Sequence, residues 1–326
     1  MKAACCYKYG PPDVVRIVDI PTPVPAPGEV LIRVHATTVT SADWRVRTLD
    51  LPPGFGPLGR LIFGFTGPRQ PILGSELSGV IESVGSGVTR FSPGDRVIAF
   101  PDVSMGAHAE FRAMKADGML APMPPSMDFA TGAALCFGGL TALHFLRKTR
   151  VQSGERVLVC GASGAVGSSV VQLARHLGAT VAGVCSAANA EFVTALGAER
   201  VIDYRTRDFA TMPERYDVII DTTGTVSPAR GRAALAPGGR LALVAAGLGD
   251  TLRAVLVGGG RLIAGPAAAT REDMEHLIRL AESGHFRPPI EREFPLVEIA
   301  EAHRHVESGR KRGHVVVRAV HGQTSV

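Results

Sequence analysis

The sequence predicts an α/β protein in which a doubly wound parallel sheet follows a smaller domain of short β-strands. Three observations carry that reading. Mid-chain, the apolar run Arg156 to Cys160 leads into Gly161, Gly164 and Gly167 and then into an amphipathic segment ending at Gly178. Beyond it, strand-length apolar runs alternate with segments of helical spacing, the pattern of a parallel sheet whose ligands sit at the carboxyl ends of its strands. The first third is instead broken by Pro and Gly into short apolar runs, as in a small β-barrel-like domain.

Taken in order, the early strands are expected at Val14 to Val18, Glu29 to Ala36, Gly79 to Val84, Arg96 to Phe100 and Ala109 to Ala113. Prolines 122, 124 and 125 mark a boundary, after which Phe129 to Lys148 takes helical spacing. Strands follow at Arg156 to Cys160, Thr180 to Cys185, Arg200 to Asp203, Tyr216 to Asp221 and Arg240 to Ala245, with helices to Gly178, through Glu191 to Leu196 and through Arg232. Arg261 to Ala264 supplies an edge strand. Thr270 with Asp273 signals a helix start, the hydroxyl accepting a free N–H and the acids suiting the dipole. That helix runs to Ser283. Pro295 opens a last helix with Leu296, Ile299, Ala300, His303 and Val306 on one stripe, before a final strand from His314 to Val320. His303 therefore reads as a half-buried face residue and His108 as a strand-surface histidine, the alternative for His108 being a proton donor facing a cleft.

The three glycines carry chemistry. Glycine at a strand-to-helix turn lets the backbone approach a pyrophosphate, and the following helix aims unpaired N–H groups and its positive dipole end at the phosphate charge. An ordinary glycine turn is the competing reading. The flanking strand and helix, with a second strand beyond, favour a dinucleotide cradle.

Composition narrows the class. At 326 residues, 45% hydrophobic and 20% charged, the chain suits two globular domains. The net charge of +5 comes from dispersed Arg and Lys without runs, which argues against nucleic-acid binding. No apolar run has signal-peptide or membrane-spanning length, so a cytoplasmic protein without a membrane partner is expected. Five cysteines, 5, 6, 136, 160 and 185, form no C-x-x-C pair and are expected as reduced thiols.

With the cradle placed behind a Pro/Gly-rich β domain, the sequence resembles the medium-chain dehydrogenase/reductase superfamily, and within it the zinc-free quinone oxidoreductase branch. The resemblance runs nearly end to end, through Pro27-Gly-Glu-Val-Leu-Ile-Arg-Val, Ile72-Leu-Gly-Ser-Glu-Leu-Ser-Gly-Val, Gly94-Asp-Arg-Val, Gly139-Leu-Thr-Ala, Gly161 to Gly167, Leu196-Gly-Ala-Glu-Arg-Val-Ile-Asp-Tyr, Pro237-Gly-Gly-Arg and Gly313-His-Val-Val. It implies a Rossmann doubly wound parallel sheet at residues 126–269 and a GroES-like β-barrel domain from residues 1–125 and 270–326, with the active site between them. It also implies dimers or tetramers, often paired through the edge at Arg261 to Ala264.

Zinc-dependent relatives carry a Cys near Thr40 to Asp43, a Gly-His-Glu where this chain has Gly74-Ser75-Glu76, and a third ligand near Cys136. Two of the three are missing, and the cysteines of a structural zinc lobe are absent too, so no metal is expected. A Lewis acid helps reduction of a simple ketone, because charge localises on its oxygen. A quinone or α,β-unsaturated carbonyl delocalises that charge, so a few hydrogen-bond donors suffice. The expectation is an oxidoreductase that passes hydride from NADPH to a quinone or enone. A metal-independent alcohol or ketone dehydrogenase and a non-catalytic NADPH-binding protein are the rivals.

The end of the second strand reads Cys185-Ser186-Ala187-Ala188-Asn189, with no carboxylate to repel a 2′-phosphate. Ser186 and Tyr204 are the expected 2′-phosphate neighbours. Relatives often carry a Lys matching Ala188, so a cation must come from elsewhere; Arg205 is a candidate, against a plain solvated charge. The resemblance further assigns Ser163, Gly164, Ala165, Val166 and Gly167 to the pyrophosphate, Thr141 to the nicotinamide ribose, Thr223, after the fourth strand, to cofactor binding, and Ala246 and Gly247 to the carboxamide. Turn formation or helix capping is the alternative for these. On the substrate side, Asp43 matches a family aspartate and Thr40 replaces a common asparagine. They are the candidate catalytic residues, with a structural turn bond as the alternative for Asp43. The apolar loop Leu51 to Pro71 reads as a pocket wall or lid, or as an oligomer contact.

Overall fold

A computed structural model describes residues 1–319. Val320, the expected end of the last strand, and residues 321–326 lie outside the described residues.

The chain opens with a hairpin of β1 (Lys2–Cys6) and β2 (Val15–Asp19), followed by the long β3 (Glu29–Val39), helices α1 (Ser41–Thr48) and α2 (Gly56–Phe63), and strands β4 (Leu77–Val84), β5 (Arg96–Ala99), β6 (Phe111–Lys115) and β7 (Leu120–Pro122). Then come α3 (Phe129–Ala133), α4 (Cys136–Thr149), β8 (Arg156–Cys160), α5 (Ala165–His176), β9 (Thr180–Cys185), α6 (Ala190–Ala195), β10 (Arg200–Asp203), β11 (Tyr216–Asp221), α7 (Pro228–Ala234), β12 (Leu235–Leu243), α8 (Leu248–Val257) and β13 (Leu262–Ala264). The described part ends with α9 (Arg271–Glu282), β14 (Ile290–Pro295), α10 (Ile299–Glu307) and β15 (His314–Arg318).

The six strands β8 to β13 form one parallel sheet in the order β10-β9-β8-β11-β12-β13, with β13 at an edge. Strand β8 is buried from Val157 to Cys160, which is why it reads as an unbroken apolar run. The order reverses between β8 and β11, whose Val159 and Ile220 are in register. That reversal opens a crevice at the carboxyl ends, where Gly161 begins its turn.

The other large sheet runs β14-β15-β3-β4-β5-β7, with β6 also on β3. Strand β3 is long enough to pair with β4 from Val30 to Thr37 along one edge and, along the other, with β6 over its first half and β15 over its last residues, Val39 facing Val315. Residues from the two ends of the chain therefore share one core, in which Ile32, Val34 and Leu77 meet Phe294, Ile299 and Val317. The fold is the Rossmann plus GroES-like architecture that the sequence implies. Helix α9, within the segment 270–326, buries Met274, Leu277 and Ile278 in the cluster that holds Val157, Val159 and Phe145 of the parallel-sheet unit.

Several local expectations are corrected. The helical stretch expected from Phe129 to Lys148 is two helices, because Phe137 N–H turns to the Glu76 carboxylate at 2.6 Å instead of to a carbonyl of α3. His108 is wholly buried, not on a strand surface, and its Nε2 lies 2.9 Å from Thr38 O. Gly74 makes room for it: at φ +95°, a Cβ there would meet His108 Cδ2 at 2.5 Å. His303 is likewise wholly buried, its ring edge-on to His108 with centroids 5.7 Å apart. Burial, with His108 and Arg47 nearby, drives His303 well below the ordinary histidine range, so it stays neutral. Helices α1, α2 and α8 stand where no helix was expected.

Candidate active site

At the end of β8 the backbone turns through Gly161 and enters α5 with Gly164 in the N-cap position at φ −78°, ψ 175°. No side chain caps this helix. Side chains thus leave the first turn of α5 uncapped, as an anion site at a helix start requires. Gly167 fits because it lacks a side chain: a Cβ there would lie 2.0 Å from Gly161 O. At Gly164 a Cβ meets nothing closer than Gly161 O at 3.6 Å, and any longer side chain would project into the space a phosphate needs. This cradle suits a dinucleotide.

Ser163 and Val166 are part-exposed on the turn, whereas Ala165 is buried. Asn189 Nδ2 donates to Ser163 Oγ at 3.1 Å, tying the cradle to the end of β9, where Ser186 is part-exposed. Tyr204 N–H donates to Cys185 O at 3.3 Å, which brings the backbone of the exposed Tyr204 to the strand end that Ser186 follows. Arg205 lies over the Tyr204 ring, its guanidinium carbon 5.9 Å from the centroid.

The crevice continues past β11. Buried Asp221 accepts Thr223 N–H at 2.9 Å and Thr223 Oγ1–H at 2.6 Å through one oxygen and Val226 N–H at 3.0 Å through the other, which holds Thr223 at the strand end. Ala246 and Gly247 follow β12, and Leu248 N–H donates to Pro53 O at 2.8 Å. The apolar segment from Leu51 is thereby fastened across the carboxyl edge of the parallel sheet. Thr141, on α4, is part-exposed and donates to Phe137 O at 2.7 Å.

On the barrel side, Thr40 and Asp43 form a capping box at the start of α1. Asp43 Oδ2 accepts Thr40 N–H at 2.8 Å and Thr40 Oγ1–H at 2.6 Å, and Oδ1 accepts Gly74 N–H at 2.8 Å. Both residues are buried, so each hydrogen-bonding atom of the carboxylate is committed to the chain. The Thr-x-x-Asp spacing itself was the signal for α1. Beside them, Glu76 accepts Thr38 Oγ1–H at 2.5 Å and Phe137 N–H at 2.6 Å. Desolvation pushes its carboxyl up to about 8, with Asp43 adding to the rise against those hydrogen bonds. Glu76 thus spans the two units and caps α4, the helix that carries Thr141; neither spacing nor composition signals that contact.

A catalytic zinc does not fit. Thr40, Ser75 and Cys136 occupy the family's ligand positions, and among the described residues no three His, Cys, Asp or Glu side chains converge as metal ligands do. Burial, with Glu76 nearby, holds the Cys136 thiol well above its ordinary range and so protonated. A cavity of about 610 Å³ lined by Arg232, Leu235, Gly238, Arg253 and Arg261 lies at the amino ends of β12 and β13, opposite the cradle, and takes no part in this site.

Residues 26–141 match the alcohol dehydrogenase GroES-like domain family, and residues 196–317 match the zinc-binding dehydrogenase family. The quinone oxidoreductase of Rattus norvegicus is 32% identical, over 97% of this chain and 97% of its own. The chain belongs to the quinone oxidoreductase branch of the medium-chain dehydrogenase/reductase superfamily. Other members share the whole architecture: the quinone oxidoreductase of Coxiella burnetii superposes with a TM-score of 0.87 at 29% identity, over 98% of this chain and 99% of that one. The chloroplastic NADPH-dependent alkenal/one oxidoreductase of Arabidopsis thaliana is 31% identical over 97% of this chain and 79% of its own.

Proposed function

We propose that this chain is an NADPH-dependent oxidoreductase that reduces quinones or α,β-unsaturated carbonyls without a metal. The carrying observation is the carboxyl edge of the parallel sheet, where an uncapped helix start, the carboxylate-free turn at Ser186 and the bond from Leu248 to Pro53 line one crevice. NADPH, when bound, supplies a hydride. In this reading Ser163 to Gly167 hold the diphosphate, Ser186 and Tyr204 border the 2′-phosphate, and Thr141, Thr223, Ala246 and Gly247 border the nicotinamide half. Asp43 fixes Thr40 and the turn at Gly74, acting as a positioning residue. The segment from Leu51, with the part-buried Phe55 and Phe63, walls the pocket and keeps water from the reacting carbon. Delocalisation in the acceptor takes the place of a Lewis acid, and solvent returns the proton.

The names of the rat and Arabidopsis relatives support the acceptor class. Loss of NADPH absorbance with a panel of quinones and enones, after extensive chelation, tests the reading. Turnover confined to secondary alcohols, activity restored only by zinc, or tight NADPH binding with no turnover would each sink it.

The same reading includes a homodimer. Helix α8 buries none of its residues and exposes Leu252, Val255, Leu256 and Val257 beside the unpaired edge of β13. An apolar face against a free sheet edge favours pairing about a twofold axis. Sedimentation should give a dimer that Leu256→Glu dissociates.

A further inference from the structure

The segment joining α10 to β15 crosses from the barrel to the cradle. Gly313 N–H donates to Ser163 O at 2.8 Å, and Gly313 lies in a parallel bridge with Gly164. Two residues earlier, the half-buried Lys311 folds back so that its Nζ donates to Gly313 O at 2.6 Å. Its ammonium is therefore held one residue from the glycine turn. Neighbouring Arg312 is used differently, its backbone N–H and Nε donating to Glu291 at 3.0 and 3.4 Å.

Lys311 lacks such a partner. Among the described residues no carboxylate lies within 4.0 Å of its Nζ. The charged groups that face it are Glu291 on β14, already paired with His305 at 2.7 Å and with Arg312, and Glu76 at the start of β4, already bound to Thr38 and Phe137. His314 on β15 faces it too, pushed down to about 3 by burial and by Lys311 itself, and so uncharged. A cation partly withdrawn from water without a counter-ion carries a cost, and of the three donors of the ammonium one is bonded to the chain here. Desolvation accordingly lowers Lys311 to about 8 even though both acids oppose the shift.

What completes this arrangement is an anion on the cradle. We propose that Lys311 is the cationic arm of the cofactor site, its ammonium binding the diphosphate of the dinucleotide opposite the N–H groups that open α5. This rests on the NADPH reading above. A charge-assisted bond to phosphate is stronger than a neutral one, and it adds a positive charge to a diphosphate cradle otherwise built from backbone N–H groups. Binding then returns Lys311 toward its ordinary range and takes up part of a proton near pH 8, so affinity falls as pH rises through that value.

Fluorescence titration of the full chain with NADPH tests this. Lys311→Met should weaken binding about tenfold to a hundredfold at neutral pH and lose the pH dependence near 8, while Lys311→Arg restores neutral-pH affinity and binds independently of pH across that range. Two fragments locate the contact. Lys311→Met should weaken 2′-phosphorylated ADP-ribose, which keeps the diphosphate, and spare adenosine 2′-monophosphate, which lacks it. Equal affinity of wild type and Lys311→Met for NADPH, with both folded by circular dichroism, overturns the proposal, as does equal weakening of both fragments. A wild type that binds no NADPH fails the functional reading itself, a result separate from either.

Discussion

The carboxylate of Glu76, from the barrel, accepts the N–H of Phe137, in the first turn of α4, at 2.6 Å. No side chain of α4's own N-cap residue, Leu135, can do this. One buried acid therefore ends α3, starts α4 and fastens two units across the crevice.

That acid makes stability depend on pH. Folded Glu76 holds its proton up to about 8, whereas in the unfolded chain it is lost near 4.5. Its contribution is thus present in full below 4.5 and disappears as pH climbs to about 8. Glu76→Gln mimics the protonated form and should flatten this part of the profile. Denaturant midpoints measured at a series of pH values check it; parallel profiles for the two proteins would contradict the assignment.

The glycines of the cradle separate folding from binding. Gly164→Glu should leave stability within about 0.5 kcal/mol, since its Cβ has room, yet abolish NADPH binding by charge and bulk. Gly167→Ala drives a methyl into Gly161 O and should cost roughly 1–3 kcal/mol of stability. Calorimetry on both variants, with and without NADPH, distinguishes the two effects.

Asp43 serves the fold first. Asp43→Asn sets an amide N–H₂ against the N–H donors of Gly74 or Thr40, and should destabilise by about 1–3 kcal/mol. Chemical denaturation beside kcat gives the answer. Unchanged stability with a large loss of kcat would return Asp43 to a direct part in catalysis.

At the end of β9, Ser186→Asp places a carboxylate in the turn beside Tyr204. NADPH should bind at least about tenfold more weakly while NADH is held as well or better, because like charges repel at the 2′-phosphate. Parallel titrations with the two cofactors measure the switch, and an unchanged ratio would remove Ser186 from the 2′-phosphate site.

The parallel sheet was legible because its signals are local. Thr180–Cys185, Arg200–Asp203 and Tyr216–Asp221 form strands over the residues expected, the first and last of them mostly buried apolar runs. Thr270 and Asp273 likewise form the capping box that their spacing announces. Helix α8 was not legible, because the period that reveals a helix records a buried face and α8 buries none. Helix α2 was hidden among prolines and glycines that read as loop.

By itself, the sequence determined the alternation of strands and helices in the parallel sheet and the glycine turn that opens α5, since these depend on neighbours a few residues apart. Tertiary structure alone decided that Glu76 meets Phe137, that His108 and His303 are sealed in the core, and that Lys311 reaches the turn at Ser163. Those contacts join residues far apart in the chain. Burial, which sets the charge of each group, comes from the packing of all the elements around it and leaves no trace in local spacing.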